Sequence, residues 1–228
     1  RRRRSRSRDV SVLRGRFVVL EGIDGAGTTT QLERLALALE TRGLAVHRTA
    51  EPTSGPVGAL IRRYLRHEIE LPSGGPRPVS WDAMALLFAA DRVDHLRTEI
   101  EPMLARGSWV LSDRYDLSSL AYQSATAPSD DVVAWIRELN SRALRPDLTV
   151  VVDVPADLAA QRRGARGASE ELYEKQELQR RLAQIYANAE TLVPADRLRH
   201  VSGLGAPDQV AALIFALVDA EFKTPSPP

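Results

Sequence analysis

Apolar positions along this chain follow two rhythms, and the two alternate. "RFVVLEG" (16–22) is a short unbroken apolar run with β-branched residues, closed by glycine, the pattern of a strand buried on both faces. "TTTQLERLALALETRG" (28–43) then brings leucine back at 32, 35 and 39, a helical stripe that Gly43 ends. "LAVHRTAEP" (44–52) reads as a second strand running into a loop, and "PVGALIRRYLRHEI" (56–69) as a helix with proline in its first turn. The Pro/Gly loop "LPSGGPRP" (71–78) separates it from a long helical segment at 79–106, which Gly107 closes. Three more strands follow: "SWVLSDRY" (108–115), "PDLTVVVDVP" (146–155) and the short "RHVSGLG" (199–205). Helical patterns occupy 130–143, 156–163, 171–193 and 207–221.

Strands that alternate with helices in this way predict an α/β protein: a three-layer fold with a five-stranded parallel sheet flanked by helices. At 228 residues, one domain is expected, over 16–222. The ends differ from it. Residues 1–8, "RRRRSRSR", hold six arginines and no acid, so removing them from the net charge of +1 leaves the remainder near −5. The Arg-rich stretch 1–15 is expected to be disordered, as is the end, 223–228. A tail of this charge can attract nucleic acid or a membrane surface through phosphates; the plainer expectation is an extension without a role. Cysteine is absent, which excludes thiolate chemistry and disulfides and fits a reducing compartment. No apolar run approaches the roughly 18 residues of a membrane span, so a cytoplasmic protein is expected.

Ligands of an open parallel sheet bind beyond the carboxyl ends of its strands. That rule selects Gly22, Ile23, Asp24, Gly25, Ala26, Gly27, Thr28, Thr29 and Thr30 after the first strand, Glu51 after the second, and Asp113 and Arg114 at the end of the third. "EGIDGAGTTTQ" (21–31) has the spacing of a P-loop, G-x-x-x-x-G-K-[ST], with Thr28 at the lysine position and Thr29 at the metal-ligand position. Such a loop grips phosphate mainly with backbone N–H groups and the following helix N-terminus, neither of which requires lysine. The chain uses arginine for nearly every positive charge: 29 of its 31 basic residues are arginine, and only Lys175 and Lys223 are lysine.

Other candidates are less specific. Asp113 could hold Mg²⁺ while Arg114 clamps a phosphate, or the two could form a structural ion pair. Phe88 and Arg92, four apart in "LLFAADR", share one helix face, which suits a stacked base and its phosphate but also a core ring beside a surface charge. "AAQRRGARG" (159–167) is either a solvated charge run or a lid, over about 160–174, that brings Arg162, Arg163 or Arg166 over the phosphates at closure.

Taken in order, "FVVLEGIDGAG", "EP", "LLFAADR", "WVLSDRYDLSSLAYQ" and "RPDLTVVVDV" resemble thymidylate kinase, over about residues 16–220. The resemblance implies a P-loop nucleoside monophosphate kinase that moves the γ-phosphoryl of ATP to dTMP with Mg²⁺, giving dTDP and ADP. It implies Asp24 near the acceptor sugar and phosphate, Phe88 stacked on thymine, Arg92 and Arg114 on the acceptor phosphate, and Ser119, Tyr122 and Gln123 beside the nucleoside. It also implies Glu51 on the substrate side, Val201 at the adenine-side loop, and a homodimer paired through helices. Three positions depart from the family pattern. Thr28 replaces lysine, Ala50 stands before Glu51-Pro52 where arginine is usual, and Leu172 falls where the lid segment often has arginine. Each removes a positive charge, which a lid arginine can restore. Two further functions stay open on these residues: a nucleotide-binding protein of the same fold with impaired catalysis, and a deoxynucleoside kinase.

Overall fold

A computed structural model describes residues 15–127, 132–164 and 172–225, with only the backbone for 172–175. The expected lid therefore lies largely outside the described residues, as do Arg166 and the Arg-rich tail.

The strands are β1 Phe17–Glu21, β2 Val46–Ala50, β3 Trp109–Asp113, β4 Leu148–Asp153 and β5 Leu198–Ser202. They form one parallel sheet in the order β2-β3-β1-β4-β5. β1 is wholly buried because it is central, which explains its unbroken apolar sequence. Its alternate residues serve two cores. Val18 and Leu20 join the cluster with Leu32, Leu35 and Leu39 of α1 (Thr28–Glu40) and Ile214 and Val218 of α9 (Pro207–Phe222). Phe17 and Val19 face Leu96, Ile100, Leu104 and Tyr115 on the other side. Phe17 and Tyr115 meet edge to face, ring centroids 5.0 Å apart.

The remaining helices are α2 Pro56–Leu65, α3 Trp81–His95, α4 Glu101–Ala105, α5 Asp116–Thr126, α6 Val132–Leu139, α7 Ala156–Gly164 and α8 Leu172–Tyr186. The expected long helix at 79–106 is in fact α3 and α4 joined by a π-helical turn, Leu96–Ile100, in which Glu101 N–H bonds to Leu96 O, five residues back. Pro102 supplies the reason: it has no N–H for Thr98 O and its ring would clash with that carbonyl, so the wider turn gives it room. α5, which no apolar rhythm announced, is a full helix carrying Ser118, Ser119, Tyr122 and Gln123. At the C-terminal end, Thr224 and Pro225 are tied to Arg42, whose Nη1 donates to Thr224 Oγ1 at 2.9 Å and to Pro225 O at 3.1 Å. Among the described residues no helix is long and apolar enough to cross a membrane.

Candidate active site

Because all five strands run the same way, Glu21, Ala50, Asp113, Asp153 and Ser202 end at one edge of the sheet. The glycine loop leaves β1 there. Ala26 N–H closes onto Ile23 O at 3.0 Å, and Gly27 is left-handed at φ 94° where the chain enters α1. Gly25, at φ 92°, lies so close to α7 that a Cβ would sit 2.5 Å from Ala159 O. The loop and α7 are thus packed backbone to backbone. Thr28, the first residue of α1, is buried, while Thr29 and Thr30 are exposed at the helix N-terminus.

Thr29 Oγ1 donates to Asp113 Oδ2. Asp113 Oδ1 is buried with no partner among the described residues. A hydroxyl and a carboxylate that meet, with one carboxylate oxygen still unused, make an all-oxygen donor pair of the kind a small hard cation takes.

Arg114 follows Asp113 and is itself left-handed, at φ 72°. Its Nη1 donates to Gly22 O at 3.0 Å and Ser118 Oγ at 3.1 Å, and its Nη2 to Asp24 Oδ1 at 2.6 Å. The guanidinium lies over the Tyr122 ring, 5.3 Å from the centroid. Burial opposes the charge, but Tyr122, Tyr186, Asp24 and Glu21 around it hold its pKa well above the usual arginine value.

Arg92 of α3 is buried behind the same edge of the sheet. Its Nε and Nη2 reach Glu51 Oε2 at 2.9 and 2.7 Å, and Nη2 also reaches Ser119 Oγ at 3.0 Å and Tyr115 O at 3.1 Å. Nη1 donates to Asn140 Oδ1. Behind Glu51, His95 Nδ1 lies 3.1 Å from Oε1 and His95 Nε2 2.7 Å from Thr49 Oγ1. Burial alone would lower the Arg92 pKa, but Glu51 and Asp116 more than reverse that. Glu51 is as buried as its partner, and all three guanidinium nitrogens of Arg92 are taken up within the fold. The expected direct contacts of Arg92 and Glu51 with an acceptor therefore give way to a supporting place behind the surface. Phe88 is half-buried one turn before Arg92, on the same α3 face.

From the opposite side, α7 brings two arginines to the loop. Arg162 Nη2 donates to Gly203 O at 3.0 Å and its Nη1 to Ala26 O at 3.4 Å, while Arg163 Nη1 donates to Asp24 O. Val201 is placed inside β5, in the hydrophobic core, and the loop that follows it, from Gly203, is what meets Arg162.

Three residues of this edge were not anticipated. Gln179 of α8 donates from Nε2 to Asp24 Oδ2 at 3.3 Å, and no motif marks it. Glu21 and Tyr186 lie beneath Arg114, their oxygens 2.9 Å apart. Glu21 did carry a signal: it is an acid closing a strand that is otherwise wholly apolar. Burial pushes its carboxyl up to about 7, against the lowering effect of Arg114.

The glycine loop, the Thr29–Asp113 pair and the arginines Arg114, Arg162 and Arg163 meet at one edge of the sheet. A family model for thymidylate kinase matches residues 20–194, which contain all of these groups except Val201 and Gly203. A probable thymidylate kinase of Pyrococcus horikoshii is 40% identical over 209 residues, covering 92% of this chain and 98% of that protein. The thymidylate kinase of Rhodopseudomonas palustris strain TIE-1 is 37% identical over 219 residues, covering 94% and 93%. The chain belongs to the thymidylate kinase family.

Proposed function

We propose that this protein transfers the γ-phosphoryl group of ATP to dTMP, giving dTDP and ADP. One observation carries this most strongly: the Arg114 guanidinium is fixed between the glycine loop and the acceptor wall by Gly22 O and Asp24. A rigid fork at that point can hold the acceptor phosphate in line with the donor. Phe88 stacks on the base and Tyr122 lines the nucleoside side, while the buried Arg92, Ser119 and Gln123 support that side from behind. The attacking phosphate oxygen is already ionised, so catalysis consists of positioning and charge, with no strong base required. Thr29 and Asp113 would hold Mg²⁺, which when bound neutralises charge on the donor phosphates. A cytoplasmic location goes with this function, since ATP is drawn from that pool.

Thr28 leaves the loop without its usual cation. Arg162 and Arg163, both hydrogen-bonded to carbonyls of the loop, are the groups we assign to that charge. Arg166 remains a further candidate from the lid. Replacing Arg162 or Arg163 by alanine is expected to lower kcat by about 10²-fold in at least one case, measured at saturating ATP and dTMP. If both variants turn over at the unaltered rate, the charge comes from elsewhere.

We also infer a homodimer. Leu86 and Val93, seven apart on α3, and Leu65 on the adjoining α2 are exposed at 51, 37 and 55%. A second copy laid along these helices would cover them. Sedimentation velocity is expected to give twice the 25.1 kDa chain mass, and Leu86→Glu to give the monomer.

The acceptor is tested by ADP formation with Mg²⁺-ATP and dTMP, dUMP, dGMP or thymidine. Preference for dTMP is the expected outcome. Preference for thymidine would make the protein a nucleoside kinase instead.

A further inference from the structure

Glu21 has no exposed surface and lies beneath Arg114, yet three of its four hydrogen bonds come from the segment that follows Arg114, and the fourth comes from Tyr186 of α8. Oε1 accepts from Tyr115 N–H at 2.8 Å and Ser118 N–H at 3.1 Å; Oε2 accepts from Ser118 Oγ at 2.6 Å and Tyr186 Oη at 2.9 Å. Two of these donors bear on Arg114 directly. The Tyr115 N–H is the next peptide group after Arg114, whose left-handed backbone is uncommon for a residue with a side chain and must be held from several sides. Arg114 N–H bonds to Leu20 O at 2.9 Å and Arg114 O accepts from Ser112 Oγ at 2.8 Å; Glu21 supplies the third hold, on the far side of the residue. The second donor, Ser118, works on the side chain. Its hydroxyl gives its proton to Glu21 and offers a lone pair to Arg114 Nη1 at 3.1 Å.

We propose that Glu21 is a positioning residue for Arg114: it fixes both the backbone and, through Ser118, the guanidinium, so that the fork meets the phosphate of the acceptor. This rests on the assignment of a nucleoside monophosphate as acceptor. Glu21 never touches the nucleotide. Its effect falls on recognition of the acceptor's phosphate, and leaves its nucleoside and ATP alone.

The ionised carboxylate is the form that suits this arrangement, because it only accepts, and all four partners donate. Protonation would turn one oxygen into a donor and force the Ser118 or Tyr186 hydroxyl to reorient. The charged and titratable groups around Glu21 are Arg114 above it and Tyr186 of α8 beside it, with Tyr122 of α5 and Asp24 of the loop across the guanidinium. Its carboxyl, at about 7, would then be changing state near neutral pH. The grip on the acceptor phosphate is expected to weaken as pH falls through that range.

The test compares the unaltered protein with Glu21→Gln and Ser118→Ala, after thermal melting has shown which variants fold. Equilibrium affinities are measured for dTMP and for thymidine, together with KM for ATP and kcat/KM for dTMP between about pH 5 and about 8.5, which spans the second ionisation of a phosphate ester. Glu21→Gln keeps the shape but removes the charge; Ser118→Ala keeps the charge but cuts the link to the guanidinium. Each is expected to weaken dTMP about tenfold, the scale of one hydrogen bond to a charged group, with thymidine and ATP unchanged. Dividing the Glu21→Gln profile by that of the unaltered protein cancels the ionisation of dTMP itself, and the ratio should rise towards low pH.

Parallel losses for dTMP and thymidine, or no loss for either, would make Glu21 merely structural and overturn the proposal. If Glu21→Gln does not fold, Ser118→Ala decides by the same selectivity. An unaltered protein that binds no dTMP would instead overturn the acceptor assignment, and this proposal with it.

Discussion

Arg114→Ala is expected to lower kcat/KM for dTMP by about 10² to 10³-fold, the cost of removing one preorganised charge from a phosphoryl-transfer site. The size follows from how completely the side chain is fixed. Gly22 O, Ser118 and Asp24 hold the guanidinium, Tyr122 lies under it, and its backbone is held by Leu20 O on one side and, through the Tyr115 N–H, by Glu21 on the other. Little reorganisation remains to be done when charge develops on the acceptor phosphate. Lysine should recover only part of the loss, because a point charge cannot span Gly22 O, Ser118 and Asp24 as a planar fork does. Steady-state kinetics over a range of dTMP concentrations check both variants. An alanine variant with unchanged kcat/KM would remove Arg114 from the acceptor site.

The second large effect is on stability. Glu51→Ala leaves the Arg92 guanidinium buried at 1% exposure with only neutral hydrogen-bond partners: Asn140 Oδ1, Tyr115 O and Ser119 Oγ. Breaking one side of a buried ion pair costs about 3–5 kcal/mol. For a chain of this size that lowers Tm by roughly 10 °C or more. Glu51→Gln should cost less, because its amide oxygen still accepts from Arg92. Acceptor affinity should fall in both, since Arg92, held by Glu51, ties Ser119 and Tyr115 in place behind the acceptor side. Thermal melting of the three proteins at one pH makes the comparison, and equal melting temperatures for all three would show that the pair is not needed to balance the buried charge.

The two pairs differ in how far sequence alone could have found them. Arg114 stands beside Asp113 at the end of an apolar run, and the strand-end rule for parallel sheets selects it directly. Arg92 and Glu51 are 41 residues apart, and although each lies in a recognisable motif, nothing in either motif says that the glutamate occupies the arginine. Residue types are legible along the chain; pairings across the fold are not. The same limit hid Gln179, which reaches Asp24 from 155 residues away.

The three inner strands were legible because burial on both faces leaves little freedom for polar residues within them. The edge strands β2 and β5, which are partly exposed and carry arginine and histidine, were legible from their place in the alternation of strands and helices. α5 was not, for a reason visible in its side chains. Ser124 and Thr126 bond back to the carbonyls of Leu120 and Tyr122, a habit that weakens helix propensity, and the helix is held instead by the burial of Leu117, Leu120 and Ala121. The π-helical turn before Pro102 was equally hidden, since one extra residue shifts an apolar stripe too little to be noticed.

The most direct measurement is turnover of the unaltered protein with Mg²⁺-ATP and dTMP beside its Thr28→Lys variant. If Arg162 and Arg163 supply the charge that lysine gives elsewhere, the unaltered protein should form dTDP at an ordinary kinase rate, about 1–100 s⁻¹, and lysine at position 28 should add nothing. A silent unaltered protein made active by Thr28→Lys would contradict this and show that the arginines of α7 do not replace the missing cation.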